Sequence, residues 1–147
     1  MKKAIIEAKK GNQSNEVPVG AILVDNIDNS IISVAHNQIV QQKNPIKHAE
    51  ILVIDQACNE KKSRYLENTS IFITLEPCAM CSAAISEAKI SKIYFGAYDE
   101  KKGSLESIMK IYSNKKYFVP EVYGGIFEKE CSLLLKEFFI QKRKLHV

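Results

Sequence analysis

The chain has 147 residues, of which 46% are hydrophobic and 26% charged, and carries a formal net charge of +4. This composition suits one globular domain, residues 1–147, and excludes a membrane span, since no apolar run nears the ~20 residues one needs. The first residues open like a signal peptide but reach Glu7, Lys9 and Lys10 too early for an apolar core, so the expectation is a cytoplasmic protein.

Residues 2–13 place Ala4, Ile5 and Ala8 at helical spacing, with an end expected at Gly11. Runs 19–25 and 31–35 flank Asn26-Ile27-Asp28-Asn29 and predict a hairpin. After Pro45, residues 47–60 predict a helix that packs through Ala49, Leu52, Val53 and Ala57. Residues 71–75 are a continuous apolar strand of the buried kind. Pro77 suits the first turn of a helix running to about residue 88, because its missing N–H is not needed there. A strand over 90–97 and a short helix over 104–111 follow. Residues 117–123 contain Pro120 and read as an edge strand. Gly124-Gly125 then breaks the chain before an amphipathic helix over 126–145. Strands alternating with helices after a hairpin predict an α/β fold, a mixed sheet with helices on both faces. The β-helix-β crossovers should be right-handed and their strands parallel.

Chemistry concentrates in His48-Ala49-Glu50 and, thirty residues on, Pro77-Cys78-Ala79-Met80-Cys81. His48, Cys78 and Cys81 are zinc ligands in kind, and three of them leave one position of a tetrahedron for water. Cys78 and Cys81 stand three apart at a helix start, which puts both sulfurs on one face. The helix N-terminus favours thiolate over thiol there. Glu50 lies just past the histidine, placed to move protons without acting as a ligand. The other two cysteines, Cys58 and Cys131, sit among apolar neighbours and read as small buried hydrophobes.

The pattern H-x-E…P-C-x-x-C resembles the signature of zinc-dependent nucleobase deaminases. Further segments narrow the likeness. They are Glu16-Val17-Pro18-Val19-Gly20-Ala21, Asn37, Thr74-Leu75-Glu76 before Pro77, Phe95-Gly96-Ala97, Gly124-Gly125-Ile126 and Phe138-Phe139. With them the chain resembles, over almost its whole length, the bacterial tRNA adenosine deaminases, which make inosine at the wobble position. That resemblance implies a three-layer α/β/α, cytidine-deaminase-like fold with a mixed, roughly five-stranded sheet. It implies a homodimer with one catalytic Zn(2+) per subunit, held by His48, Cys78 and Cys81, and Glu50 as proton shuttle. It also implies that Asn37 and the N–H of Ala49 meet the target base, and that Asp99 lies near a neighbouring nucleotide. Two departures stand out: Arg64-Tyr65-Leu66 exchanges the family's usual Tyr-Arg order, and the segment after Asp99 is shorter than usual.

Net charge alone permits a polyanionic partner without requiring one. The basic residues are lysines apart from Arg64 and Arg143, and lysine meets phosphate as a point charge. Lys142, Arg143 and Lys144 close the last helix and are candidates for contact with a tRNA anticodon stem-loop, whose bases are readily unstacked. His36 and His146 read as non-catalytic. The rival reading is a zinc deaminase of a free nucleobase or nucleoside, guanine or cytosine, which would need a closed pocket and no basic rim. A zinc-stabilised RNA-binding module without activity is the second, and it leaves Glu50 without a purpose.

Overall fold

The computed structural model describes residues 1–145, so His146 lies outside the described residues. In chain order the elements are α1 (Lys2–Gln13), β1 (Gly20–Asp25), β2 (Ile31–His36), α2 (Ala49–Lys61), β3 (Thr69–Leu75), α3 (Ala79–Glu87), β4 (Lys92–Ala97), a 3-10 turn (Ile111–Ser113), β5 (Glu121–Tyr123) and α4 (Glu128–Leu145). The five strands form one sheet in the order β2-β1-β3-β4-β5. β1 is antiparallel to both β2 and β3, while β3, β4 and β5 run parallel.

Strand register decides what each face carries. Ala21, Ile73 and Phe95 form one cross-sheet row, and Leu23, Ile71 and Ile93 form the next. All six are buried, in one core with Leu52, Val53 and Ala57 of α2 and Ile85 of α3. Each such fully buried Leu, Ile or Phe contributes roughly 1.5–3 kcal/mol by leaving water. The opposite face is glycine-bearing where helices cross it. A Cβ on Gly20 would meet the backbone of Ala4 and Ala8 in α1, and one on Gly96 would meet Cys131 of α4. α1 and α4 therefore cover that face, α2 and α3 the other, and the architecture is three-layered.

Several expected bounds shift for physical reasons. Pro77 precedes α3 altogether, with Cys78 as the N-cap in extended conformation. α4 begins at Glu128 because Gly125 (φ 78) and Phe127 (φ 56) are both left-handed, which no α-helix admits. The edge strand shrinks to the three residues after Pro120. The helix expected over 104–111 does not form. Its N–H groups at Leu105, Glu106 and Ser107 donate instead to the side chain of Glu76. Gly11 lies within α1, where the His36 ring packs against its Cα. Among the described residues no helix is long and apolar enough to cross a membrane.

Candidate active site

The two sequence halves meet where the N-termini of α2 and α3 come together. His48 is the N-cap of α2 and Cys78 that of α3, both with extended backbone. Cys81 sits on the first turn of α3 and is fully buried. His48 Nδ1 is 3.8 Å from Cys78 Sγ and 3.5 Å from Cys81 Sγ. The ligand atoms of all three residues lie within 4.8 Å of one another, the single such cluster among the described residues. Zinc–sulfur and zinc–nitrogen bonds of ~2.3 and ~2.0–2.1 Å at a tetrahedral angle separate the two ligand atoms by about 3.6 Å. The observed separations bracket that value, so the donor set fits zinc in chemistry and in spacing.

Protons are distributed unevenly over this cluster. The hydrogen bond from Cys81 pulls the Cys78 thiol down to about 4, against burial, with His48 and the Cys81 N–H adding. The same bond pushes Cys81 the other way, and burial and the charge of Glu50 push with it. The bond to Cys78 raises His48 despite its partial burial. The cluster thus favours a thiolate at Cys78, the form a metal ligand needs.

Glu50 is 4% exposed, on the first turn of α2. Burial pushes its carboxyl up to about 7, against its own N–H and the neighbouring His48. Among the described residues its Oε2 is a buried side-chain oxygen with no hydrogen-bond partner. Such an orphan costs about 1–3 kcal/mol, which makes a functional reason for it the natural one. Glu50 and the candidate ligands His48 and Cys78 line one cavity of about 510 Å³.

Asn37 lines that cavity too and is 5% exposed. Its Oδ1 accepts the N–H of Ala49 at 2.8 Å, and its Nδ2 donates to Val17 O at 3.3 Å. The Ala49 N–H, expected at the base, is therefore taken by Asn37 in this structure, and Ala49 is itself fully buried. Asp99 stands on the rim, where its Oδ1 caps the N–H groups of Lys101 and Lys102. Lys142, Arg143 and Lys144 occupy the last turn of α4. Lys142 donates to Asn15 Oδ1 and lies 5.4 Å from the centre of the Phe138 ring.

Several residues that build the cavity carry no site role legible from sequence. Val17, Tyr98 and Leu135 line it. The phenylalanine pair divides its work: Phe138 is buried as an anchor, and Phe139 lines the cavity at 49% exposure. Glu76, 1% exposed, also lines it. A carboxylate at the end of a buried strand, directly before proline, was the visible signal.

Residues 1–97 match the cytidine and deoxycytidylate deaminase zinc-binding region. A tRNA-specific adenosine deaminase of Rickettsia felis is 41% identical over 140 residues, covering 95% of this chain and 97% of that protein. One from Bacillus subtilis is 41% identical over 145 residues, covering 98% and 89%. A solved structure from studies of A-to-I editing by tRNA:A34 deaminases at the wobble position superposes with a TM-score of 0.88 at 38% identity, covering 92% of this chain and 97% of that one.

Proposed function

The chain belongs to the tRNA-specific adenosine deaminases, within the zinc-binding cytidine and deoxycytidylate deaminase group, and we propose how its own residues divide the work. The reaction is hydrolytic deamination of adenosine to inosine at the wobble position of tRNA. His48, Cys78 and Cys81 hold one zinc per subunit. When bound, the metal supplies a water-derived nucleophile at neutral pH.

Glu50 moves the protons. Poised near neutrality, its carboxylate takes a proton from the attacking water and delivers it toward the ring and the departing amino nitrogen, which leaves as ammonia. Its unpartnered Oε2 is the single observation that carries this role, because a purely structural carboxylate would be satisfied. Asn37 offers both an acceptor and a donor to the purine edge once it gives up its present partners. Asp99 borders the neighbouring nucleotide. Phe139 offers the cavity wall a face on which a splayed base can stack. Of the basic trio Lys142, Arg143 and Lys144, the last two supply phosphate contacts, while Lys142 is held by Asn15 and the Phe138 ring.

The enzyme acts in the cytoplasm as a homodimer. Support for self-association is the exposed apolar set Met80, Ile108, Met109, Phe118 and Val119. These residues sit on α3 or on segments bonded to it, through Tyr112 to Ser82 and Ser86 to Phe118.

Inosine formation on a stem-loop with adenosine at the wobble position, beside ammonia release from free guanine, cytosine and nucleosides, tests the reading. Turnover confined to the RNA supports it, and turnover confined to free bases replaces it with the free-base deaminase.

A further inference from the structure

Glu76 gathers an irregular stretch of chain around one buried carboxylate. Its Oε1 accepts three successive backbone N–H groups, from Leu105 at 3.1 Å, Glu106 at 2.8 Å and Ser107 at 3.0 Å. Its Oε2 accepts the N–H of Asp99 at 3.1 Å and the hydroxyl of Ser107. Consecutive N–H groups converging on one oxygen form an anion-binding nest, and here the anion is part of the chain. The surroundings are built to match. A Cβ on Gly103 would fall on Glu76 Oε2 and on the carbonyl of Asp99. The N–H of Gly103 closes back on that same carbonyl at 2.8 Å. Ser104 binds Pro77 O through both its N–H and its hydroxyl, which fastens the loop to the residue beside Cys78.

What this loop carries gives the carboxylate a purpose beyond folding. Tyr98, Asp99, Glu100, Lys101 and Lys102 form one wall of the cavity. Residues 98–110 include no helix or strand that could hold that wall by its own backbone bonds. We propose that Glu76 is a positioning residue for the RNA substrate: it fixes the 99–107 loop so that Asp99, Lys101 and Lys102 stand at the cavity rim. This inference rests on the tRNA deaminase reading above. Glu76 acts through the loop, because both of its oxygens are taken up by loop donors. It therefore sets how well RNA is held, while Glu50 and the metal ligands set the chemical step.

Glu76→Gln keeps the shape but turns an NH2 group against the Asp99 N–H, a donor that needs an acceptor, and forces the Ser107 hydroxyl to turn from donor to acceptor. The test compares wild type, Glu76→Gln and Gly103→Ala, zinc-loaded, on a wobble-adenosine anticodon stem-loop. Backbone amide exchange at residues 99 and 105–107, zinc content and thermal midpoint are measured on the same samples. The expected result is amide exchange faster by about tenfold or more, as befits the loss of hydrogen bonds to a charged group, and KM raised by about tenfold. The kcat should stay within about threefold and zinc content should not change. Gly103→Ala disturbs the same nest from the other side and should give the same split, so the inference is decided even if Glu76→Gln fails to fold. Unchanged exchange with unchanged KM overturns it. So does a fall in kcat and zinc content at constant KM, which would mark Glu76 as a support of the metal site. A wild-type protein that makes no inosine overturns the reading of function, and the RNA role with it, while amide exchange still decides whether Glu76 holds the loop.

Discussion

The floor of the cavity stands on the ends of two helices, and its rim on loops fastened by side chains from elsewhere. On the floor, His48, Cys78 and Cys81 take their places from local geometry: each lies at an N-cap or on a first turn, within three residues of its helix start. At the rim, the 99–107 loop hangs on Glu76, 23 to 31 residues earlier in the chain. A second loop is tied in the same way, since the N–H of Gln41 donates to the buried Glu16, 25 residues away. Helix ends give rigid placement for chemistry that tolerates little displacement. Carboxylate-fastened loops allow a rim to vary in length around that fixed floor.

The largest effect should come from the floor. Cys81→Ala removes a fully buried ligand, and the remaining two donors cannot complete a zinc site. Purified wild type should contain near-stoichiometric zinc, and the variant should lose most of its metal and all measurable turnover. A fourth protein ligand in the wild-type coordination sphere would break the open-site reading.

Glu50→Ala should come next. General acid–base groups contribute about 10²–10⁴-fold, and Glu50 serves several transfers, so the loss should reach the upper end or beyond while zinc and fold persist. Retention of more than about a tenth of the rate would mean that another group carries the protons. Stability should move the opposite way from activity. The folded pKa of Glu50 is about 7 against an ordinary 4.5, so the unfolded chain ionises first. Native stability is therefore lost as pH rises from 4.5 through 7. With zinc stripped, Glu50→Gln should melt above wild type at about pH 8, and the gap should close toward pH 4.5. A constant gap would assign the difference to packing.

The same contrast explains what the sequence could disclose. The convergence of His48, Cys78, Cys81 and Glu50 was legible because helix starts have a local grammar: proline, small residues, then an apolar period. The sheet and its core were legible from runs such as 71–75, whose continuous apolar character marks a strand covered on both faces. The short helix over 104–111 misled because Ser104, Leu105 and Ile108 carry acceptable helical spacing. Nothing local reveals that a carboxylate nearly thirty residues upstream claims the N–H groups of Leu105, Glu106 and Ser107. Asn37 was legible as a candidate and lines the cavity, but its bond to Ala49 was not legible, since that pairing exists only after β2 and α2 are brought together.

Asn37 joins floor to rim and should have an intermediate effect. Asn37→Ala leaves the Ala49 N–H without its buried acceptor and the purine without a partner. Turnover on RNA should fall by roughly 10–100-fold, from about 1.5–3 kcal/mol of missing polar interaction, with zinc content unchanged. Undiminished turnover would make Asn37 a brace between β2 and α2 and nothing more.

The smallest effect should lie farthest from the floor, at the end of α4. Phe138 anchors this helix in the core and Phe139 reaches the cavity, so the turn that follows lies next to a residue of the cavity wall. Of its three cations, Lys142 is already engaged with Asn15 and with the Phe138 ring. Arg143 and Lys144 are exposed and, among the described residues, have no ion pair, which leaves these two to meet phosphate. Phosphate contacts add affinity without reading sequence and weaken as salt rises. Replacing Lys142, Arg143 and Lys144 by alanine should weaken stem-loop binding and flatten its dependence on log salt by about 0.7–0.9 for each phosphate no longer neutralised. The bonding of Lys142 sets the expected change at two phosphates and not three. The rate at saturating RNA should hardly change, because nothing in this turn approaches Glu50 or the metal ligands. An unchanged slope would shift the electrostatic grip to Lys101 and Lys102, and would make the loop fastened by Glu76, rather than the last helix, the side from which the RNA is held.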